Sequence, residues 1–165
     1  MFQWLTTSQA GHLLLTLLIS AVPVIELRGG IPYGIAQGAN PWLVFAASVI
    51  GNMLPVPFIL LFIRKILRWM KRYPRLGRIA NKLESRAARK SAGVRKSELI
   101  GLCILVALPL PGTGAWTGTL AASLLDMDFK KSVLACMGGV LLAGIIMGLA
   151  SAGLLGALST LFSVG

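Results

Sequence analysis

Pro23-Val24-Ile25-Glu26-Leu27-Arg28-Gly29-Gly30-Ile31-Pro32 interrupts an apolar stretch with a carboxylate, a guanidinium, two glycines and two prolines. Glu26 and Arg28 are the only Asp, Glu, Lys or Arg residues among the first 63. A charge at mid-membrane costs roughly 2.5–3.5 kcal/mol on insertion scales, so it faces a partner, a cavity or water. The stretch therefore has two readings: an aqueous loop between ordinary spans, or a polar site on a broken, re-entrant segment. Pro109-Leu110-Pro111-Gly112-Thr113-Gly114-Ala115-Trp116 breaks a later apolar run in the same manner.

Around these two breaks the chain is strongly apolar. Of its 165 residues 56% are hydrophobic and 13% charged. Residues 1–25, 29–63, 99–125 and 132–165 contain no Lys or Arg, and only Asp126 and Asp128 interrupt the stretch from 99 to 129 with acidic groups. Such runs exceed the ~20 residues needed to cross a bilayer. Lipid offers backbone groups no partners, so the choice lies between helices and a closed barrel. No alternating ten-residue strands are visible, which excludes a barrel. The expected fold is an all-α integral membrane protein forming one membrane domain over residues 1–165. The net charge of +11 does not imply nucleic-acid binding, because 13 of the 16 basic residues crowd between Arg64 and Lys96. That concentration is what the positive-inside rule expects of one cytoplasmic segment. Cys103 and Cys136 lack CxxC spacing and read as packing residues. His12 stands alone and reads as a helix-end or headgroup residue. The N-terminus has no positive n-region and no clear cleavage site, so no cleaved signal peptide is expected.

In order along the chain, residues 9–22 predict an apolar helix stopped by Pro23, since proline removes a donor and biases its predecessor away from helix. Gly29-Gly30 is the expected turn, Pro32 the first residue of a short second leg to Ala39, and Asn40-Pro41 its end. Residues 41–63 form a full span with a small, weakly polar face (Ala47, Ser48, Gly51, Asn52) for close helix contact. Pro55 and Pro57 are expected to kink it. From Arg64 to Lys90, basic residues recur every three or four positions, opposite Trp69, Met70, Tyr73, Leu76, Ala80, Leu83 and Ala87. This predicts an amphipathic cytoplasmic helix split at Pro74, lying in the headgroup plane. Arg75, Arg78 and Lys82 would meet anionic lipid there. The alternative is a solvated charged helix. Residues 99–108 re-enter, Ala115–Leu125 is a second short leg, and Asp126–Asp128 a turn. The run 132–163 is longer than one untilted span, and its sequence leaves open whether it breaks near Ser151–Gly153. Gly144, Gly148, Ala152 and Gly156 mark a small-residue stripe along it.

The two halves share one order of features at an offset of 86 to 87: apolar leg, Pro/Gly break, short leg, polar turn, long span. This divides the domain into repeat one (9–63), the basic interfacial helix (64–96), repeat two (97–150) and a C-terminal apolar segment (151–165). Arg64 and Lys65 place the end of the first span inside, whereas Lys130 and Lys131 place the start of the second inside. An inverted repeat of re-entrant hairpins plus spans is common among secondary transporters, with substrate held near the midplane. Each short leg would then direct a helix N-terminus, with roughly half a positive charge, at the membrane centre. Gly112-Thr113-Gly114 could form an anion-binding nest. In an extended segment Glu26 and Arg28 project to one side. The resulting candidate substrate or ion site comprises Glu26, Arg28, Gly29, Gly30, Pro32, Pro109, Pro111, Gly112, Thr113, Gly114 and Trp116. It favours an anionic group, with Glu26 as counter-ion or proton carrier.

Glu26-Leu27-Arg28-Gly29-Gly30-Ile31-Pro32, followed by Leu108–Gly118 with its Pro-Gly-Thr-Gly-Ala-Trp string, resembles the family named "putative small multidrug export protein". That family is similar to the wider DedA (VTT, SNARE-associated) superfamily. The resemblance covers nearly the whole chain. It implies opposed re-entrant hairpins, interfacial helices, movement of lipids or lipid-linked phosphates, and a role for Glu26 as the acidic position of the first hairpin. The expected function is thus a transporter or flippase for an anionic, lipid-like substrate, open to proton coupling. The alternatives are an exporter of cationic amphiphilic drugs and a non-transporting scaffold or scramblase. Expected partners are anionic membrane lipids and a small-molecule or lipid substrate, with a homo-oligomer compatible and no nucleic acid. No catalytic residue, metal site or cofactor is expected, because no HExxH, nucleophile–base pair or phosphate-cradling glycine motif occurs. The expected location is a prokaryotic plasma membrane, crossed several times.

Overall fold

The computed structural model describes residues 8–90, 98–108, 110, 113–125 and 127–163. They are α-helical, with no strand among them. The helices are α1 (Gln9–Ala21), α2 (Glu26–Ala36), α3 (Pro41–Met53), α4 (Pro55–Met70), α5 (Pro74–Lys90), α6 (Glu98–Ala107), α7 (Ala115–Leu124) and α8 (Phe129–Ser163). The chain divides into two compact units, Met1–Asn52 with Leu141–Gly165, and Met53–Val140.

In the first unit, Ser8 caps α1 by accepting the Gly11 amide at 3.1 Å. The helix ends where expected, because Pro23 forces Val22 into extended backbone (φ −72°, ψ 130°). The turn that follows comes earlier than expected. It occupies Val22–Ile25, and α2 already begins at Glu26 and carries Pro32 inside it. Gly29-Gly30 is therefore helical rather than a turn, and Pro32 does not open the second leg. The physical reason is packing. A side chain at Gly30 would collide with the Ser20 hydroxyl and crowd the Thr16 carbonyl, and one at Gly34 would meet Val44 and Thr16. These pairings run α1 and α2 antiparallel at close range, which only the missing side chains permit. The Asn40-Pro41 pair starts the next helix rather than ending the last: Asn40 Oδ1 accepts the Trp42 amide at 3.0 Å, while Gly38 makes the turn at φ +73°. In α3, Val44, Ser48, Gly51 and Asn52 form the buried face. The Gly51 position lies directly on the Leu17 carbonyl of α1. Gly144 of α8 abuts the Phe45 ring.

In the second unit α7 packs against α4, α5 and α6. Gly118 accommodates Val106 and Leu102, and Gly139 of α8 accommodates Val106 and the Cys103 carbonyl. Leu102, Val106, Ala121, Ala122, Cys136 and Val140 form the core. Helix α4 breaks from α3 at Leu54, beside Pro55, then runs unbroken through residue 64, where the sequence reading placed a segment boundary. Pro74 does split the basic stretch. On α5, Gly77 and Ala80 are buried and Leu76 half-buried, whereas Ile79 stays exposed, as do Trp69 at the end of α4 and Tyr73 just before α5. The apolar face read from periodicity is thus divided: part of it is covered by α7, and Trp69 and Tyr73 stack edge-on at 5.4 Å outside. The run 132–163 belongs to one 35-residue helix. Asp128 caps it, accepting the Lys131 amide at 3.1 Å. Asp126, segment 91–97, and the side chains of Arg64, Leu83, Arg86, Ala87 and Arg89 lie outside the described residues.

Two helical stretches, Pro41–Ile63 and Phe129–Gly153, are long and apolar enough to cross a membrane. Only 28% and 33% of their apolar windows are buried, so they are not core helices of a water-soluble fold. Ile50, Phe58, Leu61, Leu134, Ile145 and Leu149 point away from the protein. Surfaces of this kind are compatible with lipid.

Candidate functional site

The first candidate stretch is the α1–α2 break, in the first unit. Two non-glycine residues there adopt left-handed backbone, Val24 (φ +77°) and Glu26 (φ +53°). For a β-branched residue this is a true outlier, and strain of this sort costs about 1–3 kcal/mol per residue. Val24 is 82% exposed, but Glu26 is only 3% exposed. The Glu26 carboxylate sits in the first turn of α2, where the helix dipole favours negative charge. Below it, Ser20 Oγ donates to the Thr16 carbonyl and Thr16 Oγ1 to the His12 carbonyl, each at 2.7 Å. Hydroxyls thus line α1 beside Gly30 and Gly34 while satisfying their own protons locally.

Arg28 lies two residues further on in the same helix, so the extended geometry from which a side shared with Glu26 was expected is absent. Arg28 is half-buried, and both residues take part in further polar interactions. Gly29 and Gly30 serve the α1 contact, and Pro32 is half-buried within α2. His12 falls in the first turn of α1, as a helix-end residue should, with no partner for Nδ1.

The second candidate stretch lies before α7, in the second unit. Pro109, Pro111 and Gly112 lie outside the described residues. Thr113 is buried, and its amide donates to the Leu110 carbonyl at 3.1 Å. Its hydroxyl lies 2.7 Å from the carbonyls of both Leu108 and Leu110. That amide is already spent inside the loop, so the Gly112–Gly114 nest loses the N–H from its middle residue. Gly114 precedes α7 at φ +126°, a conformation open to glycine alone. Trp116 is half-buried on the first turn of α7. Thr119 donates to the Ala115 carbonyl and lies 3.7 Å from Cys136 Sγ. Cys103 and Cys136 form no disulfide; Cys136 is buried and Cys103 half-buried. Arg75, Arg78 and Lys82 are exposed on α5, a position suited to headgroups or to water. No group of His, Cys, Asp or Glu among the described residues is placed to hold a metal.

Ser48 and Asn52 were read from sequence only as small packing residues. Both are buried, and Ser48 Oγ and Asn52 Oδ1 have no hydrogen-bond partner. Their four-residue spacing in an apolar run was the available signal.

An all-helical chain whose long apolar helices are mostly exposed belongs to the class of membrane proteins. The chain is a member of the family described as "Putative small multi-drug export protein", whose model matches residues 26–146, well over half of the sequence. The match begins at Glu26. No curated protein and no solved structure matches the chain. Family and apolar helices together make it a membrane protein concerned with export.

Proposed function

We propose that this chain exports small amphiphilic cations across the membrane, with Glu26 as the group that binds the cation or the proton exchanged for it. The observation that carries the reading is the 3% exposed Glu26 carboxylate in a break whose backbone is strained on either side of Ile25. A buried carboxylate within an apolar unit attracts a positive group, and strain held at such a point marks a place where two conformations compete. The anionic substrate first expected rested on Arg28 sharing a side with Glu26 and on an open glycine nest. The helical geometry of α2 and the engaged Thr113 amide weaken both supports.

Within this reading the segment 64–96 is cytoplasmic, held there by its basic residues, and the breaks before α2 and α7 lie at membrane depth, reached from opposite sides. Cysteine-accessibility scanning of positions 26–32 and 109–114 tests that topology: labelling of both from one side removes the inverted repeat.

A second reading keeps the lipid-like anionic substrate implied by the DedA resemblance. The exposed Arg75, Arg78 and Lys82 beside the exposed Trp69, Tyr73 and Ile79 favour it, as a surface for anionic headgroups. Against it, Leu102–Trp116 carries no basic residue to meet a phosphate. Proteoliposomes separate the two. A fluorescent organic cation should accumulate under a proton gradient, Glu26→Gln should abolish that accumulation, and Glu26→Asp should retain part of it. Unchanged cation transport by Glu26→Gln, or movement of a labelled anionic phospholipid alone, would reject the first reading.

A further inference from the structure

Most buried hydroxyls among the described residues satisfy themselves on the preceding turn. Thr16, Ser20, Thr119, Ser132 and Ser151 all donate to the carbonyl four residues earlier. Ser48 does not. It is 0% exposed, and its Oγ has no partner. One turn further along α3, Asn52 is 1% exposed, and its Oδ1 has no partner either. A buried acceptor left without a partner is costly, so two on one helix face call for an explanation.

The surroundings supply one. Residues four apart on a helix have Cβ atoms about 5–6 Å from each other, so both oxygens open to the same side. Gly51 lies between them in sequence and shares their buried face. Because Gly51 has no side chain, the Leu17 carbonyl oxygen of α1 reaches the α3 backbone at that point. Inside α1 that carbonyl accepts one helical hydrogen bond and keeps a second lone pair. Two unpartnered side-chain oxygens thus share the buried face of α3 that the Leu17 carbonyl of α1 approaches at Gly51. Of the three oxygens only the Ser48 hydroxyl carries a proton of its own, while Asn52 Oδ1 and the carbonyl are pure acceptors. Hard oxygen donors without an anionic charge suit a weakly solvated alkali cation, as carbonyl-lined filters do.

We propose that Ser48 Oγ, Asn52 Oδ1 and the Leu17 carbonyl hold an alkali-metal cation where α1 crosses α3. The site extends the export reading by supplying a coupling ion other than the proton, yet its geometry is independent of Glu26. Gly51 serves it as a positioning residue by letting the two helices touch.

The test is made on the purified full-length protein in detergent, where no transport is needed. Melting is compared in sodium, potassium and choline chloride at equal ionic strength, together with saturable binding of labelled sodium and rubidium. A ligand that binds only the folded state raises its melting temperature, so sodium or potassium should stabilise the protein over choline. Asn52→Leu and Ser48→Ala should each weaken cation binding by about tenfold or more, the effect of losing roughly 1.4 kcal/mol of ligation. In choline, Asn52→Leu should melt no lower than the parent, since an apolar group replaces an unpartnered acceptor. Should Asn52→Leu fail to fold, Ser48→Ala carries the comparison. Identical melting in all three salts with no saturable binding, or binding unaffected by both variants, overturns the proposal and leaves a buried water at the site. Loss of export in Glu26→Gln with cation binding retained supports the ion site. Absent binding beside normal export refutes the site alone.

Discussion

Replacing Val24 by glycine should stabilise this protein, contrary to the usual effect of deleting an apolar side chain. Val24 stands at φ +77° in the α1–α2 break. Left-handed backbone costs an L-residue about 1–2 kcal/mol, and glycine avoids that cost. The side chain is 82% exposed, so its removal forfeits almost no packing. Against the relief stands the extra freedom of glycine in the unfolded chain, about 0.5–1 kcal/mol. The balance is a gain of about 0.5–1 kcal/mol. Val24→Ala is the control: it removes nearly the same side chain but keeps a Cβ, so it should gain less than glycine does. Unfolding in mixed micelles, followed by circular dichroism, gives both values. A loss of more than about 0.5 kcal/mol in Val24→Gly, or an equal gain in Val24→Ala, would refute strain at this position. If the strain also keeps Glu26 poised, the stabilised variant should export more slowly than the parent, because stability and a strained working site trade against each other.

Gly51→Ala would drive a Cβ into the Leu17 carbonyl and should destabilise by about 1–3 kcal/mol, whereas Gly148→Ala, with open space around it, should be neutral or stabilising by up to about 1 kcal/mol; chemical unfolding of the two checks this. Thr113→Val should lose about 1–2 kcal/mol by removing the hydroxyl that holds the Leu108 and Leu110 carbonyls, and Thr113→Ser should recover most of it. Neutralising Arg75, Arg78 and Lys82 together should weaken attachment of α5 to anionic vesicles, at about 1 kcal/mol per charge. Accessibility of a label on α5 to an aqueous quencher, in anionic against neutral vesicles, reads that change, and no difference between them marks α5 as a solvated helix.

The sequence alone established the class of this protein. Long charge-free apolar runs leave the backbone no option but helix in a lipid environment, so an all-helical fold followed from composition. Pro23, Pro55 and Pro74 marked true interruptions, because a missing N–H and a fixed φ act locally and need no neighbour. The residues that open the family match were legible too: a lone carboxylate in an apolar run stands out whatever the fold. Tertiary packing decided what local rules could not reach. Gly29-Gly30 and Pro32 have turn chemistry, yet they lie within α2, because Gly30 and Gly34 are needed as flat surfaces against Ser20, Thr16 and Val44. That shift moved the turn to Val22–Ile25, put Val24 and Glu26 in left-handed backbone, and replaced the extended geometry expected of Glu26 and Arg28. Ser48 and Asn52 likewise read as modest contact residues, and only the folded chain seals them from water. Whether a glycine turns the chain or lets another helix in, and whether a polar side chain is satisfied or left open, depends on what lies across from it. Residues distant in sequence determine that, and only the folded chain brings them there.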